Sequence, residues 1–282
     1  MGERLGPITV SIINMKGGVG KSTIAALLAR HAAYNLELDV LAVDLDPQAN
    51  LSQAFMRGSY QKFLDSKQAS IVEIFNGYQP ASKSRKSPKP LDHHDAVVSV
   101  LGNERLQLVP SRFDFSDALI GSLKPNPRVL AKFVSDYFQH KDIIIIDCAP
   151  TESIFTQAAY FASALVLVPV KPEYFATVGF PLLQSSLQQF RDRNRGQQID
   201  VCGVVINNPF YHGGNDGGPE KWRALQDIKA EARDNKWKIY KNQIPHSRGF
   251  PKMMRGDYSH LGNATMFYHF AKEFFDSIGL KG

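Results

Sequence analysis

Ten residues near the start of the chain constrain its fold more than any other segment. Residues 14–23 read Asn-Met-Lys-Gly-Gly-Val-Gly-Lys-Ser-Thr, after the apolar run Ile8–Ile13 and before a segment of helical character. Strand, glycine-rich turn and helix, in this order, form the context of a phosphate-binding loop. Glycines let successive backbone N–H groups point into one concavity, and the helix adds its positive end. The segment predicts a site for a nucleoside triphosphate.

The loop residues divide the work of such a site between backbone and side chains. Lys21 would reach the β- and γ-phosphates of ATP, and the Ser22 hydroxyl would ligate Mg²⁺. The backbone groups would cradle the remaining phosphate oxygens. The predicted nucleotide-binding residues of this segment are Gly17, Gly18, Val19, Gly20, Lys21, Ser22 and Thr23.

Composition narrows the class of protein. The 282 residues are 43% hydrophobic and 21% charged, which fits one large α/β domain over residues 1–282 with a sizeable core. Cys148 and Cys202 are far apart and form no metal-ligand or redox motif, as is typical of a reducing cytosol. We expect neither a signal peptide nor a membrane span. The net charge of +6 permits contact with a polyanion without requiring it.

Apolar runs of strand length alternate with helical patterns, which predicts βαβ units. We expect a single doubly wound α/β domain with a mainly parallel sheet and helices on both faces. The predicted strands are Ile8–Ile13, Val40–Leu45, Leu106–Val109, Ile143–Ile146, Ala164–Val170, Val201–Ile206 and one near Ile239–Ile244. The predicted helices are Lys21–Tyr34, Ser111–Leu119, Pro127–His140, Ile154–Phe161, Thr177–Arg191, Pro219–Arg233 and Asn263–Ile278.

Three segments interrupt this alternation of strands and helices. Residues 79–94 are basic and punctuated by proline, and they predict a flexible loop. Residues 212–219 read His-Gly-Gly-Asn-Asp-Gly-Gly-Pro and predict a glycine loop. A third stretch, residues 245–260, mixes proline and glycine with basic residues and should be irregular.

Acidic residues follow two of the predicted strands. Ligands of a doubly wound sheet lie beyond the carboxyl ends of its strands, which places Asp44 and Asp46 near the phosphates. One of the pair could instead cap the following helix, which Pro47 could open at its first position. Asp147 closes the apolar run Ile143–Ile146 and would hold Mg²⁺ through a water molecule, because magnesium keeps much of its hydration shell.

The phosphate loop departs from the general pattern, and the departure carries a resemblance. Met15 stands where a glycine is usual, and Lys16 follows it. The string Lys-Gly-Gly-x-Gly-Lys-Ser resembles the deviant phosphate loop of the ParA/MinD family of ATPases. The resemblance implies that Lys16 reaches the partner's nucleotide across a homodimer that forms on ATP binding. The segment Asp44–Gln48 is similar to the Asp-x-Asp-Pro-Gln of ParA proteins, which implies that Asp46 positions the attacking water and that Asp44 supports the magnesium shell.

Two later strings extend the resemblance. Residues 168–179 look like the Pro-x-x-x-Glu-Tyr-x-Ala-x-x-Gly stretch of chromosomal and plasmid ParA proteins. Residues 204–207 end a predicted strand with Asn207, and in this family the adenine lies against the loops after this strand and the next. Asn207 and Pro245 are therefore the candidate adenine contacts, although both residue types also terminate strands for purely structural reasons.

The resemblance also implies partners. A ParA-type dimer binds duplex DNA without sequence preference through late basic side chains, for which Arg248, Lys252 and Arg255 are candidates. A ParB-like or other partner would stimulate slow ATP hydrolysis, and the protein would be cytoplasmic and associated with the nucleoid. One alternative is a MinD-like ATPase that cycles on membranes, although the end of the sequence is a poor anchor for anionic lipid. Another is a ligase of the dethiobiotin-synthetase type, for which we find no second-substrate pocket in the sequence.

Overall fold

A seven-stranded sheet forms the centre of the protein in the computed structural model, which describes residues 6–66, 68–77, 91–100, 102–113, 126–173, 179–207, 218–245 and 264–281. The strand order is β3-β4-β2-β5-β1-β6-β7. All neighbouring strands are parallel except β3, which runs antiparallel to β4 at one edge. The strands are β1 (Ile8–Ile12), β2 (Val40–Leu45), β3 (Val98–Val100), β4 (Asn103–Val109), β5 (Ile143–Cys148), β6 (Leu165–Val170) and β7 (Asp200–Ile206).

Helices connect these strands and cover both faces of the sheet. A short 3₁₀ helix, His93–Ala96, precedes β3. The α-helices of the described residues are α1 (Lys21–Asn35), α2 (Asn50–Met56), α3 (Ser59–Asp65), α4 (Ile71–Gly77), α5 (Val129–Tyr137), α6 (Ile154–Ala162), α7 (Gly179–Arg193), α8 (Gly218–Asp234) and α9 (Ala264–Ser277).

Two hydrophobic cores lie on opposite faces of the sheet. One core combines strand residues with residues of α4 to α8, and the other combines strand residues with α1, α2 and α9. Strand β5 contributes side chains to both cores. Ile144 and Ile146 belong to the first core, whereas Ile143 and Ile145 belong to the second. Alternate side chains of a strand point to opposite faces, so a continuous apolar run indicates a strand covered on both. The predicted fold class is confirmed.

Six of the seven predicted strands are present, and one is wrong. Residues 239–244 form only two isolated bridges, Val204 with Ile239 and Asn207 with Ile244. The chain leaves the sheet between them because the backbone N–H groups of Lys241 and Asn242 donate to the carboxylate of Glu273 on α9, each at 2.9 Å. The edge strand β3, three residues long, had no signal in the sequence.

Six predicted helices are present as α1 and α5 to α9, while the short helices α2, α3 and α4 were not predicted. The expectation that Pro47 opens a helix is wrong. Residues 46–49 form a turn, closed by the Ala49 N–H donating to the Asp46 carbonyl at 2.8 Å, and α2 starts only at Asn50. Residues 111–113 of the predicted helix Ser111–Leu119 are not helical, and the rest of it lies outside the described residues.

Several expectations concern residues that the structure does not describe. Residues 79–90 of the basic loop lie outside it, and residues 93–94 already belong to the 3₁₀ helix. Residues 212–217 of the glycine loop are likewise outside, whereas residues 218 and 219 open α8. The three DNA-binding candidates Arg248, Lys252 and Arg255 also fall outside the described residues.

Helix α9 packs its apolar face into the second core. Phe270 and Phe274 are fully buried and Phe267 nearly so, and Tyr240 contacts the Phe270 ring edge to face at 5.4 Å between centroids. The three phenylalanines recur at helical spacing, so they share one face of α9. Within the described part of the chain, none of the helices combines the length and the apolar character that crossing a membrane requires.

The packing of α9 predicts a large difference between two neighbouring substitutions. Phe270→Ala should lower the free energy of unfolding by about 3–5 kcal/mol, because it leaves a cavity in a well-packed core. Lys272→Ala, on the exposed side of the same helix, should change it by less than about 0.5 kcal/mol. Urea unfolding followed by circular dichroism measures both values. Equal effects of the two substitutions would contradict the burial of this helix face.

Candidate nucleotide-binding site

The phosphate loop lies between the end of β1 and the start of α1. Gly20 is the N-terminal cap of α1 and has a left-handed backbone, with φ 93° and ψ 22°, and Gly18 has φ 72°. A Cβ atom at Gly20 would also clash with the side-chain amide of Asn207, so glycine is required there for two reasons. At Gly17 and Gly18 a Cβ would meet nothing within 4 Å, because both residues face open space.

Two asparagine side chains hold this loop against the sheet. Asn14 is 2% exposed; its Nδ2 donates to the Pro169 carbonyl at 2.8 Å, and its Oδ1 accepts the Lys16 N–H at 2.8 Å. Asn207 follows β7, and its Nδ2 donates to the Val19 carbonyl at 2.9 Å. The loop is thereby tied to the ends of both β6 and β7. The family resemblance implied an adenine contact for Asn207, and neither of these bonds to the loop was predicted.

Lys21 is buried within the loop. Its Nζ donates to the carbonyls of Asn14 at 3.2 Å and Lys16 at 3.1 Å, and the residue is 6% exposed. Burial lowers the pKa of this amine, while the charges of Asp147 and Asp46 raise it. The loop carbonyls thus hold a cation beside the cavity, where it can meet an incoming phosphate.

Lys16 has a different environment from Lys21. Its side chain is 27% exposed, and its Nζ forms an ion pair with Glu173, after β6, at 3.3 Å. An exposed pair of this kind contributes only about 0–1 kcal/mol, so it can exchange for another anion. Glu173 belongs to the string that resembles ParA proteins, but the sequence did not indicate that it contacts Lys16.

Asp44 and Asp147 lie side by side on β2 and β5 and are fully buried. Burial raises the pKa of Asp44 to about 7, against the effect of its hydrogen bonds. Its Oδ2 accepts both the N–H of Ser52, at 2.8 Å, and the Ser52 hydroxyl, at 2.7 Å, so Asp44 caps α2 from within the sheet. Its Oδ1 accepts the Asp46 N–H at 3.1 Å.

The carboxylate of Asp147 fits a cation. Neither oxygen accepts a hydrogen bond of normal geometry from the described residues, although both are buried. Burial, followed by the charge of Asp44, raises the pKa of Asp147 well above its usual range, and the nearby Ser22 hydroxyl opposes the rise. Buried polar atoms without a partner are costly. Oxygen donors next to a serine hydroxyl are the ligand type that Mg²⁺ takes, directly or through water.

Asp46 stands at the mouth of the site. It follows β2 directly, is 6% exposed, and uses its Oδ1 to accept the Gln48 N–H at 2.9 Å. Its carbonyl accepts the Ser111 hydroxyl at 2.9 Å, which ties this loop to the end of β4.

One cavity of about 760 Å³ joins the loop, the aspartate segment and α2. Pro150, after β5, closes one side of it. From the loop and α1 it is lined by Gly17, Gly18, Gly20, Lys21, Ser22 and Thr23, and from the β2–α2 side by Asp46, Gln48, Asn50, Gln53, Ala54 and Arg57. The structure therefore brings Asp46 and the predicted nucleotide-binding residues of the loop together in one cavity, except Val19, which is buried and not part of the lining. Asn207 and Pro245 are not part of the described lining; Asn207 contacts the loop at Val19 and pairs with Ile244, the residue before Pro245.

Comparison with known proteins agrees with this geometry. The family AAA_31, described as an AAA domain, matches residues 8–201. The chain belongs to this family of ParA/MinD-type ATPases. The match spans the phosphate loop and the aspartate segment, which line the cavity, and it also includes Asp147.

Individual relatives of this ParA-type chain share less than a third of their residues with it. It is 29% identical over 202 residues to an uncharacterized protein of Methanocaldococcus jannaschii, covering 71% of this chain and 73% of that protein. It is 26% identical over 245 residues to the sporulation initiation inhibitor protein Soj of Bacillus subtilis, covering 84% of each. The structure of a McdA–ATP complex from Cyanothece has the same fold, with a TM-score of 0.79, 20% identity and 99% of both chains covered.

Proposed function

We propose that this protein is a ParA-like ATPase that partitions DNA or positions a cargo through an ATP-dependent dimer. The observation that carries the proposal is the pair of lysines in one loop. Lys21 is buried against loop carbonyls, whereas Lys16 is at the surface in an exchangeable ion pair. In this proposal, Lys21 contacts the nucleotide of its own chain, and Lys16 contacts a group outside its own chain. Membership of the ParA/MinD-type family supports this division.

Binding of ATP would use the loop as it stands. The N–H groups from Gly17 to Ser22, at the N-terminal end of α1, would surround the phosphates. Lys21 would turn from the loop carbonyls to the β- and γ-phosphates. Ser22 and Asp147 would hold Mg²⁺, Asp147 through a water, with Asp44 behind them. When bound, the ion would neutralise charge that develops on the phosphates. It would also relieve the repulsion between the buried carboxylates of Asp44 and Asp147.

Hydrolysis would depend on Asp46. Water attacks the γ-phosphorus, the bond to the β–γ bridging oxygen breaks, and ADP and phosphate leave. A carboxylate at the mouth of the cavity, held by the Gln48 N–H, can orient that water. The adenine would lie toward Asn207 and Pro245, on the β7 side of the loop.

Substitution of Lys21 and Asp46 should separate binding from chemistry. Lys21→Ala should abolish ATP binding, because it removes the cation that is placed in cis at the β- and γ-phosphates. Asp46→Ala should keep ATP binding and lose hydrolysis, because orienting the water matters only for the chemical step. A fluorescent ATP analogue measures binding, and phosphate release measures hydrolysis. Hydrolysis by Asp46→Ala at the parent rate would remove Asp46 from this role.

Dimerisation would give Lys16 its role. In a dimer with the nucleotides at the interface, Lys16 would leave Glu173 for a phosphate of the partner's ATP, which carries more negative charge. The short reach of a lysine side chain requires the two phosphate loops to face each other. Dimerisation would then depend on ATP, and release of phosphate would weaken it.

Lys16→Ala should therefore lose ATP-dependent dimerisation while it retains nucleotide binding by the monomer. Sedimentation velocity with ATP and Mg²⁺ distinguishes the two oligomeric states, and Lys229→Ala, an exposed lysine of α8, is a matched control. The account expects a dimer from the parent and the control, and a monomer from Lys16→Ala. A Lys16→Ala protein that dimerises like the parent would exclude a role in trans.

DNA is the partner we propose for the dimer. The net charge of +6 and the basic residues Arg248, Lys252 and Arg255 support it, together with membership of the family that includes Soj and ParA. A dimer doubles the number of phosphate contacts, which makes DNA binding depend on the nucleotide. A ParB-like or other partner that stimulates hydrolysis would release the DNA. We accordingly place the protein in the cytoplasm, on the nucleoid.

The ATP-bound protein should bind unrelated duplexes equally well, and the ADP-bound protein should bind weakly. Each phosphate contact releases condensed counterions, so the logarithmic salt slope should steepen by about 0.9 for every contact that dimerisation adds. Fluorescence polarisation across a salt series measures this slope. Arg248→Glu should weaken binding on all sequences, whereas Lys62→Glu, exposed on α3, should not. Equal affinity in both nucleotide states would contradict the proposal and favour the membrane or ligase alternative.

A further inference from the structure

Arg57 has a backbone conformation that an arginine rarely adopts. It follows α2 directly and has φ 51° and ψ −127°. Only glycine enters this region without strain, and other residues persist there when their surroundings or their function require it. The backbone is fixed on both sides: the Arg57 N–H donates to the Gln53 carbonyl at 2.8 Å, and the Arg57 carbonyl accepts the Tyr60 N–H at 3.0 Å. Gly58 follows immediately, yet the strained position is Arg57.

The side chain of Arg57 lines the cavity that contains the phosphate loop. It shares that cavity with Ser22 and Thr23 on α1 and with Asp46 and Pro150 after β2 and β5. The described residues of its lining do not include Asn207 or Pro245. Arg57 therefore lies toward the polyphosphate end of the proposed nucleotide, on the side where Asp46 would orient water, and away from the candidate adenine contacts.

A second arginine lies close to Arg57. Arg30 is on α1, about two turns after Thr23. Burial lowers the pKa of Arg30, the Tyr34 phenol opposes this, and the charge of Arg57 lowers it again. Like charges repel each other, and an anion bound beside Arg57 would reduce this repulsion. The positive N-terminal end of α1, which borders the cavity, also favours an anion there.

We propose that Arg57 is a further binding residue of the nucleotide site and that its guanidinium contacts the terminal phosphate of ATP. The inference rests on the proposed function, since it requires that ATP occupies this cavity. A planar guanidinium can bind two phosphate oxygens through two parallel N–H bonds, a fixed geometry that a lysine ammonium lacks. Because ADP has no γ-phosphate, which is the terminal phosphate of ATP, Arg57 would favour ATP over ADP. The strained backbone is then retained because it directs this side chain to the phosphates.

Glycine at position 57 separates strain from binding. Arg57→Gly removes the guanidinium and accepts the observed backbone, so its thermal unfolding midpoint without nucleotide should equal or exceed that of the parent. Its Kd for ATP should rise about tenfold or more, the effect of losing a charge-assisted hydrogen bond, while its Kd for ADP should change less than about threefold. Arg57→Lys should lose part of the ATP affinity, and Arg57→Gln, which removes the charge and keeps a polar side chain, should lose most of it.

Lys236→Gly is the matched control. Lys236 is exposed, follows a helix and has φ 57°. This substitution therefore also puts glycine in place of a cationic residue whose backbone is left-handed, at a position that does not line the cavity. It should change neither Kd. Titration calorimetry with ATP and with ADP measures the affinities, and calorimetric scanning measures the midpoints. ATP affinity of Arg57→Gly and Arg57→Gln at the parent value would overturn the inference. Equal losses for ATP and ADP would overturn the assignment to the terminal phosphate.

A lower unfolding midpoint of Arg57→Gly, combined with parent-like ATP affinity of Arg57→Gln, would make Arg57 a structural residue. Failure of the proposed function gives a different result, because the parent protein itself would then bind no ATP. The two failures are thus distinguishable within one experiment.

Discussion

The amide side chains of Asn14 and Asn207 fix the position of the phosphate loop, and the rest of the site depends on that position. They join the loop to the ends of β6 and β7, which follow β1 in the sheet. Without these bonds the carbonyls that hold Lys21 and the N–H groups at the start of α1 would not keep a common orientation. The parallel order of the sheet therefore supplies the cradle, because it brings three strand ends to one place.

The second constraint is charge. Asp44 and Asp147 are buried next to each other, with Asp46 and Lys21 nearby. The arrangement is unfavourable in isolation, since burial raises the pKa of both fully buried carboxyls. Asp44 is stabilised by Ser52 and the backbone of α2, whereas Asp147 has no comparable donors among the described residues. A divalent cation with a triphosphate would complete this site, which explains why the fold accommodates so much buried charge.

The sequence predicted the central strands, the longer helices and the phosphate-loop residues and Asp46 that line the cavity. These features depend on local patterns, namely apolar runs, helical periodicity and the glycine loop. Helices α2 to α4 were missed because they are only seven residues long, which is too short for a helical periodicity to be recognised. The bonds of Asn14 and Asn207 and the pair of Lys16 with Glu173 join residues about 150 or more positions apart, which no local pattern reveals. Arg57 was missed because its conformation, and not its neighbours in sequence, distinguishes it.

The central claim is that the cavity between the loop and the aspartates binds ATP together with Mg²⁺. Isothermal titration of the purified protein with ATP tests it directly, once in Mg²⁺ and once in EDTA. The account predicts one ATP per chain in Mg²⁺ and a clearly weaker affinity in EDTA, because the carboxylate of Asp147 then faces the phosphates without a cation between them. Absence of binding in Mg²⁺, or the same affinity in both buffers, would contradict the account.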